Sequence, residues 1–492
     1  LNDLAPTLTA TPATDLPDPK RWTALIVLLT GAFLPAFDFF VVNVALPAMH
    51  SDLGASPADM ELVVAGYGLA FAVLLVTGGR LGDLYGRKRL FMLGMTGFTI
   101  ASALCGLAPS PAVLIAARIL QGLTAALMNP QVLSIIRVTF PEHERARAIG
   151  FFGTTLGLAS IAAQLIGGLL IQANIAGLDW RPIFLVNVPV GAVALFLASR
   201  TLRETRAQGR PSLDIGGIAL ATAFVILLAY PLVEGQGLGW PGWTIACLVA
   251  SVPVLALFVF YEWVVQLRGR APLVNLRLFK DRAFSLGLVM AMTFFGGLAA
   301  FFMGLTIFLQ QGLGYDPLQA GLVFVAFGFG FVGASLLSSQ LARRIGPVTI
   351  TVGTVLMGAG LVAIVILIRI AGEGPLNMLV LWPVLIIYGC GQGFALPTLV
   401  SSAVGSSRIP PQEAGAAAGV FNMVQQIGFA LGIALIMGLF FSVLGTGTHQ
   451  VDYERALSAA LCCNIGLMAL TGVLAFFLPR RAPAPGVVVH LD

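Results

Sequence analysis

Apolar runs of about 20 residues recur along the whole chain, separated by short polar segments rich in Gly, Pro and basic residues. A run of that length, coiled as an α-helix, crosses the ~30 Å hydrocarbon core of a bilayer. Such runs lie at 22–48, 58–79, 90–108, 112–138, 146–172, 182–200, 215–234, 243–265, 284–310, 319–341, 348–370, 376–404, 413–444 and 456–478. The pattern predicts an all-α integral membrane protein with 14 transmembrane helices. The second run carries Glu61 near its start, and the thirteenth is long enough to hide a break.

Composition agrees: 58% of residues are hydrophobic and 10% charged, with a mean hydropathy of +0.94. Soluble domains carry about 25% charged residues. Of the 27 Lys and Arg, 23 fall in alternate loops, including Arg80, Arg87, Lys88 and Arg89, then Arg200 to Arg210, then Arg268 to Arg282. The positive-inside rule makes those loops cytoplasmic and places both termini there. The net charge of +5 is therefore an orientation signal and not a nucleic-acid footprint. Residues 1–19 are polar, acidic and Pro-rich, without the basic n-region of a signal peptide, and are expected to be a flexible tail. The five cysteines sit in apolar runs at spacings that suggest neither a disulfide framework nor a metal site.

A weak repeat links the two ends of the chain. "RLGDLYGRKR" (80–89) follows the second run and "QLARRIGP" (340–347) the tenth; "AIGFF" (148–152) opens the fifth and "AAGVF" (417–421) the thirteenth. A parallel repeat of six helices, with two helices between the copies, suits a transporter built from two halves around a central site. The expected divisions are a tail at 1–20, a six-helix bundle at 21–200, linker helices at 201–267, a second bundle at 268–480 and a tail at 481–492.

Several motifs carry a resemblance to a known family. "GRLGDLYGRKR" (79–89) and "RILQG" (118–122) resemble signatures of the major facilitator superfamily. "VNVALP" (42–47), "WRPIFLVNVPVG" (180–191), "LDIGG" (213–217) and "GYDPLQAG" (314–321) look like its fourteen-helix drug:proton antiporters. The resemblance covers roughly residues 22–480 and implies the major facilitator fold, two six-helix bundles plus two additional linker helices. Three departures stand out. Leu84 follows Asp83 where many members carry Arg, Phe39 and Phe40 follow Asp38, and Ala163–Gln164 replaces a Gly-Pro pair before Gly167–Gly168.

In the loop signature, Gly79, Gly82 and Gly86 permit close packing and a tight turn. Asp83 can accept hydrogen bonds from Arg87 or from a helix N-terminus. The resemblance implies a conformational latch between the bundles, with the thirteenth helix near Glu413–Gly415 as the partner. The alternative is that the basic residues only enforce topology.

Asp38 and Arg118 are charged residues inside apolar runs. A carboxylate at mid-helix costs ~2.5–3.5 kcal/mol on insertion scales, so it must be offset or used. All four histidines lie in loops or tails, which leaves Asp38 as the best carboxyl for proton coupling. Arg118 and Asp38 lie at roughly 9 and 15 Å from the outer ends of their runs, close enough for long-range coupling through a water or a glutamine; direct pairing requires the two helices to be adjacent, as the resemblance implies. Otherwise Arg118 snorkels outward and Asp38 is a packing hydrogen bonder.

Polar and aromatic residues that can line a pocket for amphipathic molecules are Asn43, Gln121, Gln164, Phe301, Phe302, Gln310, Gln392, Phe421, Asn422, Gln425 and Gln426. Each is equally readable as helix-packing glue. The resemblance implies proton-coupled efflux of hydrophobic or amphipathic compounds, lipophilic cations among them, by a monomer in a bacterial cytoplasmic membrane. Its partners are the substrate, protons and lipid, with no nucleic acid, cofactor or metal. A fatty-acid or lipid exporter of the same fold is the alternative. A membrane receptor or an intramembrane enzyme is disfavoured, since the sequence holds no large extramembrane domain and no nucleophile–base pair, metal-ligand cluster or phosphate-cradling loop.

Overall fold

A computed structural model describes residues 19–206, 214–269, 272–371, 377–404 and 414–479. The described residues contain helices and no strand. Fourteen of these helices are long and apolar enough to span a membrane, in the predicted order. They are α1 (Arg21–Leu53), α2 (Pro57–Tyr85), α3 (Arg87–Gly106), α4 (Pro111–Thr139), α5 (Glu142–Ala173), α6 (Pro182–Thr201) and α7 (Ile215–Gly237). Then follow α8 (Gly242–Leu267), α9 (Arg282–Gly312), α10 (Pro317–Ile345), α11 (Val348–Ala371), α12 (Met378–Val404), α13 (Ala417–Leu444) and α14 (Gln450–Phe476).

The helix ends are written into the sequence. Ser56 and Asp59 form a capping box at the start of α2 with Pro57 at the first helical position, and Asp316, Pro317 and Gln319 do the same for α10. Hydropathy alone misjudges boundaries where polar ends continue a helix. α1 runs to a left-handed cap at Gly54, past the predicted end at 48, and α14 starts at Gln450 rather than 456 because His449 and Asp452 cap it. The long thirteenth span contains no break; a π-helical turn at Ile433–Met437 absorbs the irregularity, and a second one at Phe308–Gly312 ends α9.

The repeat is visible in the packing. In the first bundle α2 packs on α4, α3 on α4 and α1 on α5; in the second, α10 packs on α12, α11 on α12 and α9 on α13. Every pair recurs eight helices later. The bundles meet through α5 against α10 and α2 against α13, two contacts that the same repeat interchanges.

Between the helix middles and the ends farthest from the basic loops the two bundles touch. Close approach of α5 and α10 depends on glycine: a Cβ on Gly168 would stand 2.9 Å from Leu318 Cα, and one on Gly321 3.1 Å from the Gln164 carbonyl carbon. Gln310 Nε2 donates to the Val44 carbonyl at 2.8 Å, a hydrogen bond between the two bundles. At mid-helix an aromatic layer joins them, with Phe39 against Phe429 (4.8 Å between ring centroids) and Phe40 against Phe302 (5.3 Å). The bundles are therefore in contact on the side opposite the basic loops.

Candidate functional site

Asp38 and Arg118 form a direct ion pair, both 0% exposed: of the two expected modes of coupling the structure has the direct one, with α1 and α4 adjacent. Arg118 Nη1 donates to Asp38 Oδ2. The other carboxylate oxygen accepts from Gln121 Nε2 (2.9 Å) and Asn187 Nδ2 (3.0 Å). Gln121 also accepts from Arg118 Nη1 at 2.8 Å, one helical turn away on α4, so it touches both charges. Ser102 on α3 accepts from Gln121 (3.0 Å) and Asn187 (2.9 Å) and donates to the Phe184 carbonyl. Arg118 Nε donates to the Val63 carbonyl on α2, and its guanidinium stacks over the Tyr67 ring at 4.2 Å. Tyr67 in turn donates to the Pro35 carbonyl. The group thus ties α1, α2, α3, α4 and α6 together, which excludes an Arg118 that snorkels to the surface.

Two donor or acceptor atoms of this network have no partner among the described residues, Arg118 Nη2 and Asn187 Oδ1. A buried ion pair stays favourable only when hydrogen bonds satisfy its remaining atoms, so the network is incompletely compensated. Such a site is sensitive to gain or loss of a single charge. Its connection to the bundle interface is covalent: Phe39 and Phe40, next to Asp38, belong to the aromatic layer.

The candidate pocket residues divide. Gln121 belongs to the charge network. Asn43 is buried and donates back to the carbonyls of Phe39 and Phe40 on its own helix. Neither is placed to line an open pocket. Phe301 stacks on Tyr388 inside the second bundle, at 4.2 Å. Gln310 and Phe302 lie between the bundles, and Gln164 has its backbone against Gly321 of the second bundle while its side chain donates to the Phe40 carbonyl of the first (3.3 Å). Gln392 is buried with Oε1 unpartnered, Phe421 and Gln426 are buried, and Asn422 and Gln425 are half-buried on α13.

In the loop signature, Arg87 Nη2 and Nε donate to Asp83 Oδ1 at 2.8 and 3.0 Å. Gly86 has φ +112° and lies against the Glu204 carboxylate, which accepts from the backbone amides of Lys88 and Arg89. A side chain at 86 would meet both the strained φ and that carboxylate. Gly82 packs on the Gln131 side chain and Gly79 approaches Pro130. The Glu413 end of the expected latch lies outside the described residues.

Sequence reasoning did not single out Asn187, Ser102, Tyr67 or Glu204. Asn187 carried a signal, being a polar residue inside the sixth apolar run and inside the quoted motif "WRPIFLVNVPVG". Ser102 carried none, because a serine satisfies itself on its own helix in most membrane spans.

Two repeated bundles of membrane-spanning helices with a buried charge network define a membrane transporter of the alternating-access type. Residues 28–433 match the Major Facilitator Superfamily, and the chain belongs to it. The chain is 40% identical over 439 residues to the probable actinorhodin transporter of Streptomyces coelicolor, covering 89% of this chain and 75% of that one. It is 36% identical to the puromycin resistance protein pur8 of Streptomyces alboniger (94% and 92% covered). It is 35% identical to the tetracenomycin C resistance and export protein of Streptomyces glaucescens (88% and 78% covered). Among solved structures, a POT family transporter in complex with 5-aminolevulinic acid superposes with a TM-score of 0.67 at 15% identity, covering 93% of this chain and 97% of that one. That likeness is of fold.

Proposed function

We propose that the protein exports hydrophobic or amphipathic small molecules, lipophilic cations among them, across a bacterial cytoplasmic membrane in exchange for protons. The basic loops and both termini face the cytoplasm, residues 21–200 and 268–480 act as the two moving bundles, and the chain works as a monomer. The names of the antibiotic-exporting and resistance relatives support the direction of transport.

The observation that carries the coupling is the buried Asp38–Arg118 pair. A proton on Asp38 removes the charge that Arg118, Gln121 and Asn187 are aimed at, and the network must repack. Phe39 and Phe40 deliver that change to Phe429 and Phe302 on the second bundle. The side opposite the basic loops, closed here by Gln310–Val44 and the α5–α10 glycines, then opens. Gln392, Asn422, Gln425, Gln426 and Phe421 offer a soft, mostly uncharged surface that can accept varied amphipathic molecules. Asp83 and Arg87 hold the loop that latches the basic-loop side during the reverse step.

Purified protein in liposomes under an imposed pH gradient tests this. Gradient-dependent flux of a lipophilic cation is expected. Flux of a fatty acid with none of the cation would replace the reading, and flux indifferent to the gradient would remove proton coupling from it.

A further inference from the structure

A second acidic site lies far from Asp38 along the chain, where α7, α8 and the segment leading into α9 converge. Glu262, near the basic-loop end of α8, is 0% exposed, and Asp214, just before α7, is 7% exposed. Their carboxyl groups are within hydrogen-bonding reach of each other. Both lie against Gly217, where a Cβ would stand 2.7 Å from Asp214 Oδ2 and closer still to Glu262 Oε1. No larger residue leaves room for the two carboxyls together.

Three of the four carboxyl oxygens are occupied by backbone donors. Asp214 Oδ1 accepts from Gly217 N (2.9 Å), Asp214 Oδ2 from Leu273 N (3.2 Å) and Glu262 Oε2 from Val274 N (3.2 Å). The fourth, Glu262 Oε1, is buried and has no donor among the described residues. Two adjoining buried carboxylates repel each other, and one shared proton both relieves the repulsion and supplies the missing hydrogen bond.

The surrounding charge favours the same count. Arg80 of α2 donates to the Pro272 carbonyl and lies within electrostatic range of Glu262, Asp214 and Asp83. One carboxylate balances the guanidinium, and two exceed it. Among the described residues Tyr261 also lies at this site, its hydroxyl against Gly216, while Arg277 and Lys280 on the turn before α9 are exposed.

The geometry points to a second proton-binding site, in which Glu262 Oε1 holds a hydrogen bonded to the Asp214 carboxylate. Its position gives the linker helices a task. α7 packs on α2 and α13, with Leu232 against the Ala65–Ala430–Ala434 contact between the bundles. The proton fastens residues 273 and 274, which lead into the first helix of the second bundle, to α7 and α8. Arg80 fastens the neighbouring Pro272 to the first bundle, three residues before Asp83. Loss of the proton places two carboxylates in one pocket and loosens this junction, so the linker joins the bundles more firmly in an acidic compartment than in an alkaline one.

Difference infrared spectroscopy on the purified full-length protein tests the site without reference to transport. Wild type is compared with Glu262→Gln, which supplies an amide N–H at the position of Oε1 where the proton is placed, and with Asp214→Asn, which removes the carboxylate that the proton is shared with. The expected result is a protonated-carboxyl band at neutral pH in wild type that disappears at alkaline pH and is missing from both variants. The melting temperature of wild type is expected to fall as pH rises through that transition, with a flatter profile in the variants. A spectrum unchanged by both substitutions overturns the inference. So does a melting temperature set by sodium or potassium concentration in place of pH, which would mark a cation site. Failure of Glu262→Gln to fold also overturns it, because a neutral donor is what the site is said to hold.

Discussion

Asn187 of α6 donates to Asp38 of α1 at 3.0 Å, although 149 residues separate them in the chain. This bond and the one to Ser102 are how the sixth helix joins the buried charge network. A hydrogen bond to a charged group contributes about 1.5–3 kcal/mol. Asn187→Ala is therefore expected to lower unfolding stability by about that amount and to weaken gradient-driven export more than substrate binding. Thermal melts and parallel binding and flux assays read both effects; unchanged flux would take Asn187 out of the coupling group.

Asp38→Asn keeps the shape and an acceptor for Arg118 but cannot cycle a charge. Uphill transport driven by a pH gradient is expected to vanish, while a neutral substrate still binds and exchanges. A cation that uses Asp38 as counter-ion should bind more weakly. Asp38→Ala leaves the Arg118 charge buried and unpaired, at about 3–5 kcal/mol. Accumulation against a gradient by Asp38→Asn would show that the pair serves packing only.

Gly168 lies at a close approach of α5 and α10 on the side opposite the basic loops. Gly168→Leu inserts a side chain into the Pro317–Leu318 backbone and is expected to favour the form open on that side. An engineered cysteine at Val44, alkylated from outside intact cells, should react several-fold faster in this variant. Equal rates would mean the contact does not gate access.

The Asp83–Arg87 pair is partly exposed, with side-chain exposures of 36% and 15%. Such pairs contribute ~0–1 kcal/mol, so Asp83→Asn should insert and melt almost as wild type does. Transport is nevertheless expected to drop strongly, because the pair spans the turn at Gly86 that the loop signature builds. Full flux at equal expression would reduce the signature to a topology device.

Orientation has its own test. With the cysteines replaced, a single cysteine at Asn2 or His490 is expected to resist an impermeant reagent applied outside intact cells. Labelling of either from outside contradicts the positive-inside assignment.

The sequence by itself determined the fourteen spans and their order, because only a helix or a closed barrel satisfies the backbone in a bilayer and an apolar run of about 20 residues has the length of a helix, not of a barrel strand. It also showed the repeat, the loop signature and the isolation of Asp38, since a charge in hydrocarbon is conspicuous in one dimension. Tertiary structure decided what those residues meet. Arg118 reaches Asp38 directly because α4 and α1 are neighbours, and Gln121 follows Arg118 into the pair through the i, i+3 geometry of one helix rather than facing a cavity. Asn43 is spent on its own helix, while Gln310, in the middle of a π-helical turn, reaches the other bundle. Polar residues at similar depth look alike in sequence; only rotation about the helix axis and the identity of the facing helix separate glue from site. The same limit hid Glu262, a helix-end glutamate in the sequence, which the fold buries against Asp214 from 48 residues earlier.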